Sequence, residues 1–455
     1  MTELHNLTVG EAAAQIKERE LSPVTLLQSF FERIDALEPS LEAWMYVDRE
    51  GALGAAHKCE EEIAQGGYKG PMHGIPVAIK DIFHADGLKT TAGSRVYEDF
   101  VAEYDSEVIA RLREAGAVIM GKTTTAEFAA ADPPSTYYPW DRERTPGGSS
   151  TGSAVAVSVG MCPIAIGSQG SASTLRPASY NGIVGLKATY SRVSLYGMLP
   201  YSFTGDHVGI LAKNVEDSAI MLAAVAGYDP KDPSSSREKV ADYRAAALSW
   251  SKPPRIGRLR EYFEVNADEG VREHTDLALQ KLVEAGAVVE DVKLPASFAT
   301  AHAAHGVLGR VHSASFHHDA FLEETDKFGP GKRLQIEAGG LVPAVRYVQA
   351  QRMRRQFRRD MEEIAAGYDV LLTPATPGPS PKTRATTGDR RFQIPWSYSG
   401  LPTIAIPSGL HPIALPLGLQ LIAPGFAEEQ LLGVAHWCER VLNVSLKPPL
   451  PVAVS

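Results

Sequence analysis

The sequence predicts an α/β protein, one large mixed and mostly parallel sheet sandwiched by helices. Three observations predict it. Short apolar, β-branched runs alternate with helix-length amphipathic runs along nearly the whole chain, which is the pattern of βα units. No Ser/Gly/Pro linker or charge block divides the 455 residues, so 1–455 is predicted as a single domain. The composition, 44% hydrophobic and 22% charged, supports one large core rather than a disordered or membrane-embedded chain.

The elements follow in order. Thr8 and Glu11 form a T-x-x-E capping box ahead of Ala12, Ala13 and Ile16. Ser22-Pro23 starts a second helix with Leu26, Leu27, Phe30, Ile34 and Leu37 on one face. Residues 1–65 are therefore predicted to open the chain as a helical hairpin region. The run IPVAIKDIF reads as a buried strand, and SEVIARLREAGAVIMGKT as helix, turn at Gly116, then strand. The same unit recurs from His274 and again at YDVLLTPATP from Tyr368. Residues 66–225 are predicted to hold a catalytic core, and 297–366 a variable helical insert lining a pocket.

Several function classes are disfavoured. A net charge of -9 argues against a nucleic-acid surface. The basic run QRMRRQFRR is followed by DMEEIAAG, and Met353, Phe357 and Met361 are predicted to pack inward from a solvated helix. The three cysteines are far apart, no apolar stretch reaches membrane length, and MTELHNLTVGEAAAQIKERE lacks a signal-peptide pattern. A cytoplasmic monomer or homodimer, acting on a small molecule without nucleic acid or membrane, is the expectation.

Two small-residue segments carry the chemistry: TPGGSSTGSAVAV from Thr145 and GSQGSASTLRPA from Gly167. Side chains this small let backbone N–H groups approach a reacting carbonyl. A serine nucleophile needs a base, and a lysine can serve if its amine is neutral. Lys80 lies in the apolar run Pro76 to Lys80, where desolvation lowers its pKa from about 10.4. Asp81 would oppose this, except that successive strand residues face opposite ways. Alone, such a lysine reads as one leaving a strand end for water.

Other motifs compete less well. Gly148 to Gly152 spells G-x-S-x-G around Ser150, but polar, Pro-broken DRERTPG precedes it where the elbow needs a strand. Ser236 to Lys239 spells S-x-x-K in a polar loop with no apolar shell. The glycine-rich loop lacks the G-K-[ST] of a phosphate cradle. His302, His305, His312, His317 and His318 share one helical stretch, but no H-E-x-x-H or clustered Cys/Asp ligands accompany them, so no metal is assigned.

KDIF at Lys80, GGSSTGSAVAV at Gly147, RPASYNGIVGLKATY at Arg176, and the later SGLPTIAIPSGL and PLGLQLIA together resemble the amidase signature family over most of the chain. The resemblance implies the amidase signature fold and a Ser-Ser-Lys triad. In it Ser173 is the nucleophile, Ser149 the bridging serine after a cis Gly148–Ser149 peptide, and Lys80 the base. It implies an oxyanion hole from the N–H groups of Gly170, Ser171 and Ala172 together with that of Ser173. It also places the Ala129 carbonyl near substrate, and no cofactor is implied. The chain departs from the family where Ser171 and Ala172 replace the usual small pair before the nucleophile, where Gln169 replaces aspartate, and where Arg176 falls one place late. The pocket is expected to use Gly148, Tyr137, Tyr138 and Trp140, with His312, Phe316 and Phe321 from the insert. The implied activity is cleavage of C–N bonds in amides, anilides or carbamates (urethanes). The alternatives are an A-type amidotransferase component releasing ammonia for a partner, and an inactive binding protein of the same fold.

Overall fold

The computed structural model describes residues 3–450; the ends of the 1–455 range lie outside the described residues. Eleven strands form one sheet: β1 (Trp44–Val47), β2 (Pro76–Lys80), β3 (Val118–Thr123), β4 (Ile164–Ser168), β5 (Val184–Lys187), β6 (Val208–Ala212), β7 (Arg255–Arg258), β8 (Val288–Asp291), β9 (Val370–Pro374), β10 (Thr403–Leu410) and β11 (Pro416–Ile422). Their order is β1-β3-β2-β4-β6-β5-β10-β11-β9-β7-β8. The sheet is mixed, as predicted, but its parallel share is smaller than expected. Only β3-β2-β4 and β9-β7-β8 pair in parallel, and the pairings from β4 through β9 are antiparallel. Crossover helices enforce parallel pairing inside each block. The segment joining the blocks instead closes on itself through the β10–β11 hairpin and the β5–β6 pair.

The capping box at Thr8 and Glu11 forms, and helix Val9–Lys17 follows it. Ser22 caps helix Pro23–Leu41, whose predicted apolar face is buried. The N-terminal region is more than a hairpin, because β1 within it joins the sheet edge beside β3. The unit after Ser106 is helix Glu107–Glu114, then Gly116 at φ 81°, then β3. Residues 297–366 are helical, as Phe298–Phe316, His318–Glu324, Pro330–Gly340 and Ala344–Ala365. In the last of these Phe357 and Met361 are fully buried, but Met353 is 41% exposed and corrects the predicted stripe. The buried face continues instead through Ala350, while Arg354 reaches across to the Thr204 carbonyl at 2.6 Å.

The sheet brings two chain segments to one place. Lys80 and Ser168 end the adjacent parallel strands β2 and β4, the edge at which parallel sheets present their binding sites. The small residues permit close approach there. A Cβ on Gly152 would lie 2.1 Å from the Ala43 carbonyl, and one on Gly209 of β6 would lie 1.9 Å from Thr174 Oγ1. Thr174 Oγ1 in turn donates to the Ser168 carbonyl at 3.0 Å. Gly209→Ala therefore displaces the turn after Ser173, and overpacking of this kind costs about 1–3 kcal/mol. Urea unfolding should show that loss together with reduced turnover; unchanged stability and turnover would contradict the packing argument.

Candidate active site

Lys80 is fully buried, and its Nζ donates to Ser149 Oγ at 2.7 Å and to Ser168 Oγ at 2.8 Å. The peptide Gly148–Ser149 is cis. Buried Arg176 holds this turn, its Nη2 donating to the Gly148 carbonyl and to Thr387 Oγ1, each at 2.6 Å. Ser173 sits alongside, because the Ser150 N–H donates to its carbonyl at 3.2 Å. No hydrogen bond joins the Ser149 and Ser173 hydroxyls directly. The structure thus closes the Lys80–Ser149 contact and places Ser173 next to it.

The loop before Ser173 has every carbonyl occupied from outside. The Gln169 carbonyl accepts from the His207 N–H and its Nδ1, both at 3.0 Å. The Gly170 carbonyl accepts from His305 Nε2 at 2.9 Å, the Ser171 carbonyl from Ser397 Oγ at 2.9 Å, and the Ala172 carbonyl from the Arg176 N–H at 3.1 Å. In a planar trans peptide the N–H points opposite the C=O. The N–H groups of Gly170, Ser171, Ala172 and Ser173 therefore turn the other way, and among the described residues they donate to no protein acceptor. The Gln169 amide holds the following turn by accepting from the N–H groups of Thr174 and Leu175, each at 3.0 Å. That is the local job of the glutamine that departs from the family pattern.

Burial pushes the Lys80 amine down to about 7, outweighing the Asp206 charge, which acts in the other direction. Asp206 is itself pushed up to about 7 by burial, although its Oδ2 accepts from the N–H groups of Tyr201 and Ser202, each at 2.8 Å. Its Oδ1 has no partner, and a Cβ on Gly170 would lie 2.5 Å from it. Asp81 does turn away from Lys80, as strand alternation requires, and pairs with Lys122 at 3.1 Å. Burial also holds His305 down to about 4, so it is neutral at pH 7 and donates through Nε2.

The predicted pocket residues divide. Phe316 lines a cavity of about 380 Å³ that reaches Ser202, Phe203 and Asp206. Ala129 follows Phe128, both left-handed at φ 55° and 45°, and the Phe128 ring is wedged 4.2 Å from His317 and 5.8 Å from Phe328. Tyr138 is a correction: it is fully buried and its hydroxyl donates to the Tyr180 carbonyl at 2.5 Å, so it braces the core. Tyr137 lies between the guanidiniums of Arg142 and Arg384, each 3.8 Å from its ring, and lines neither this cavity nor the one behind Tyr201. Gly148 lines neither cavity, and its carbonyl is held by Arg176 at 2.6 Å. His312 bonds Ser202 Oγ at 2.7 Å and the Tyr347 hydroxyl at 3.0 Å, and His302 bonds the Arg391 carbonyl at 2.8 Å. The sequence reading missed Ser168, Asp206 and Ser397, and named His305 only as a metal candidate that it set aside. Only Ser168 carried a local signal, standing at the end of an apolar strand in the serine-rich segment.

The buried lysine has a thermodynamic signature. The Lys80 pKa is about 7 folded and about 10.5 unfolded, so between those values the unfolded chain holds the extra proton and stability rises with pH. In Lys80→Met that contribution disappears. The slope of unfolding free energy between pH 7 and 10 should fall by about 1.4 kcal/mol per pH unit, the value of one proton. Urea titrations at several pH values measure it, and identical slopes would show that Lys80 is charged in the folded protein.

The Amidase family profile matches residues 25–432 of the chain that carries this geometry. The A-type component of glutamyl-tRNA(Gln) amidotransferase from Carboxydothermus hydrogenoformans is 36% identical over 476 residues, covering 96% of this chain and 98% of that protein. Its counterpart of the same name in Geobacter sp. (strain M21) is 36% identical over 483 residues, covering 98% and 99%. Among solved structures, native peptide amidase from Stenotrophomonas maltophilia superimposes with a TM-score of 0.87 at 29% identity, covering 98% and 99% of the two chains. A chain from a vestigial protein complex bearing on the origins of an s-triazine catabolic enzyme superimposes with a TM-score of 0.91 at 28% identity, covering 97% and 100%. With its sequence profile, its relatives and its fold in agreement along nearly the full length, the chain belongs to the amidase signature family.

Proposed function

We propose that this protein cleaves the C–N bond of a carboxamide through an acyl-enzyme on Ser173, with Ser149 as proton relay and Lys80 as base. The carrying observation is the buried Lys80 amine, 2.7 Å from Ser149 and beside four N–H groups that have no protein acceptor. Ser173 Oγ attacks the carbonyl carbon, and its proton passes through Ser149 to the Lys80 lone pair. The developing oxyanion is met by the N–H groups of Gly170 to Ser173. Collapse expels the amine, which takes the proton back along the same path, and water then releases the acid. The Ser173 hydroxyl must turn toward Ser149 for the first step, a contact that tightens when substrate binds.

Anilides and carbamates present the same carbonyl and a nitrogen leaving group, so they remain within reach of this apparatus. No named relative supports a carbamate preference. The second reading, an amidotransferase component that releases ammonia for a partner, is favoured by the curated relatives. Gel filtration and a glutamine-only assay of the purified chain separate the two. Ammonia released only with a stoichiometric partner supports the amidotransferase reading, and turnover by the chain alone supports the free-standing amidase. An inactive binding protein would fail on p-nitroacetanilide and on every amide tried.

Ser173→Ala should abolish turnover while leaving the melting temperature unchanged, since it removes one hydroxyl from a small-residue loop. Lys80→Arg keeps a charge that does not titrate. It should lose about 10² to 10⁴-fold in kcat, comparable with Lys80→Ala, and the losses should not add to that of Ser149→Ala. The rate should rise with pH and level off above about 7, where burial leaves the Lys80 amine neutral. An active Lys80→Arg enzyme with the same pH profile would rule out the triad.

His305 acts here as a positioning residue, through the Gly170 carbonyl. His305→Ala should lower kcat about 10 to 100-fold with KM little changed, because the N–H array serves the transition state more than the ground state. A rise in KM alone would show that His305 serves binding instead.

A further inference from the structure

Behind the nucleophile loop lies a cavity of about 420 Å³, a volume suited to a small organic ligand. Its wall includes Tyr201, Gly306, Arg310, Gln335 and Arg390. Two contacts join it to the reaction centre. A Cβ on Gly170 would lie 2.3 Å from the Tyr201 ring, so that ring packs directly on the loop carrying the free N–H groups. On helix Phe298–Phe316, His305 grips the Gly170 carbonyl and the next residue, Gly306, faces the cavity.

The lining carries positive charge and no negative charge. Arg310 and Arg390 are its only ionisable groups apart from the Tyr201 phenol, and no carboxylate lines it. Asp389, next to Arg390 in sequence, pairs with Arg391 instead at 2.7 Å. Asp132, behind Gly331, is occupied by the N–H groups of Gly331 and Lys332 at 3.0 and 2.9 Å. Among the described residues neither Arg310 nor Arg390 has an ion-pair partner. The wall also holds an unsatisfied acceptor, since Gln335 Oε1 is buried without a hydrogen bond. A buried acceptor left alone is costly, so it calls for an N–H from a ligand.

Resting on the amide-hydrolase reading, we infer that the cavity selects amides of net negative charge. A carboxylate remote from the scissile bond meets Arg310 and Arg390, and Gln335 is placed to accept from an N–H that a longer substrate carries beside that carboxylate. Arginine is suited to this because its planar fork matches a carboxylate. With no acid in the wall to answer an ammonium group, a monoamide of a dicarboxylic acid fits better than a zwitterion such as glutamine. Charge recognition here must also work against the overall charge of -9, which repels anions at long range.

The test compares succinamate with butyramide, its neutral analogue, and with L-glutamine. Wild-type enzyme should favour succinamate over both by about 100-fold in kcat/KM. Arg310→Gln and Arg390→Gln should each shrink that preference about tenfold, and the double variant should erase it. Raising NaCl from 50 to 500 mM should weaken the preference, because both arginines are exposed to solvent and screened. Equal use of charged and neutral amides, or a preference unchanged in the double variant, overturns the inference. If no amide is turned over, the hydrolase reading fails and binding decides the cavity separately, using calorimetry of succinamate on Ser173→Ala. Binding that vanishes when both arginines are also replaced supports the anion site, whereas no binding, or binding that survives the replacements, overturns it. Matched melting temperatures establish that the variants fold.

Discussion

The site depends on keeping one amine out of water. In the proposed mechanism Lys80 can act as a base only because burial makes its ammonium form expensive, and a close carboxylate would reverse that. The strand itself solves the problem. Alternation sends Asp81 to the opposite face, where Lys122 Nζ meets it at 3.1 Å and also donates to the Phe83 carbonyl and Thr90 Oγ1, each at 2.8 Å. Two buried lysines one strand apart therefore have different surroundings. Lys122 has a carboxylate partner and a structural role, while Lys80 has two hydroxyls and feels Asp206 without pairing to it.

The second requirement is a peptide loop whose N–H groups stay free. Buried N–H groups normally find protein acceptors, so four in succession without one must be held by something stronger than local propensity. Here the grip is on the carbonyl side, and it comes from distant parts of the chain: His207 beside β6, His305 in the insert, and Ser397 in the short helix before β10. The serine and alanine that replace the usual small pair are tolerated because neither Ser171 nor Ala172 has a positive φ. The extra Cβ atoms leave the array intact.

Much of this was legible in sequence, and the boundary is physical. Lys80, Ser149 and Ser173 lie in segments whose composition is itself the signal: an apolar strand holding a lysine, and two runs dense in serine, glycine and alanine. The helix caps at Thr8 and Ser22 and the parallel βα units were legible because their determinants are a few residues apart. The antiparallel centre was not, since it depends on which distant strands fill the gap between two parallel blocks. Asp206 and Ser397 were equally invisible, as was the role of His305, because an isolated polar residue gains its role only from the carbonyl or amide it meets after folding. Tyr138 shows the converse. A tyrosine in a loop near the nucleophile suggests a pocket wall, yet its destination was set by the Tyr180 carbonyl inside the core.

The helical segment 297–366 reaches the centre as well as the cavity wall. Its first long helix presents His305 to the Gly170 carbonyl, Gly306 and Arg310 to the cavity, and Gly309 to the Tyr201 ring, whose hydroxyl would lie 2.7 Å from a Cβ there. Tyr201 packs in turn on Gly170, and its N–H holds the carboxylate of Asp206. The residues from His305 to Arg310 thus touch the loop that carries the N–H array, the cavity wall and the tyrosine that holds the residue whose charge reaches Lys80. Interiors packed this closely do not deform locally without moving their neighbours. On the proposed mechanism, side chains between His305 and Arg310 therefore bear on both the chemical step and the choice of substrate, since they share one packed stretch of helix.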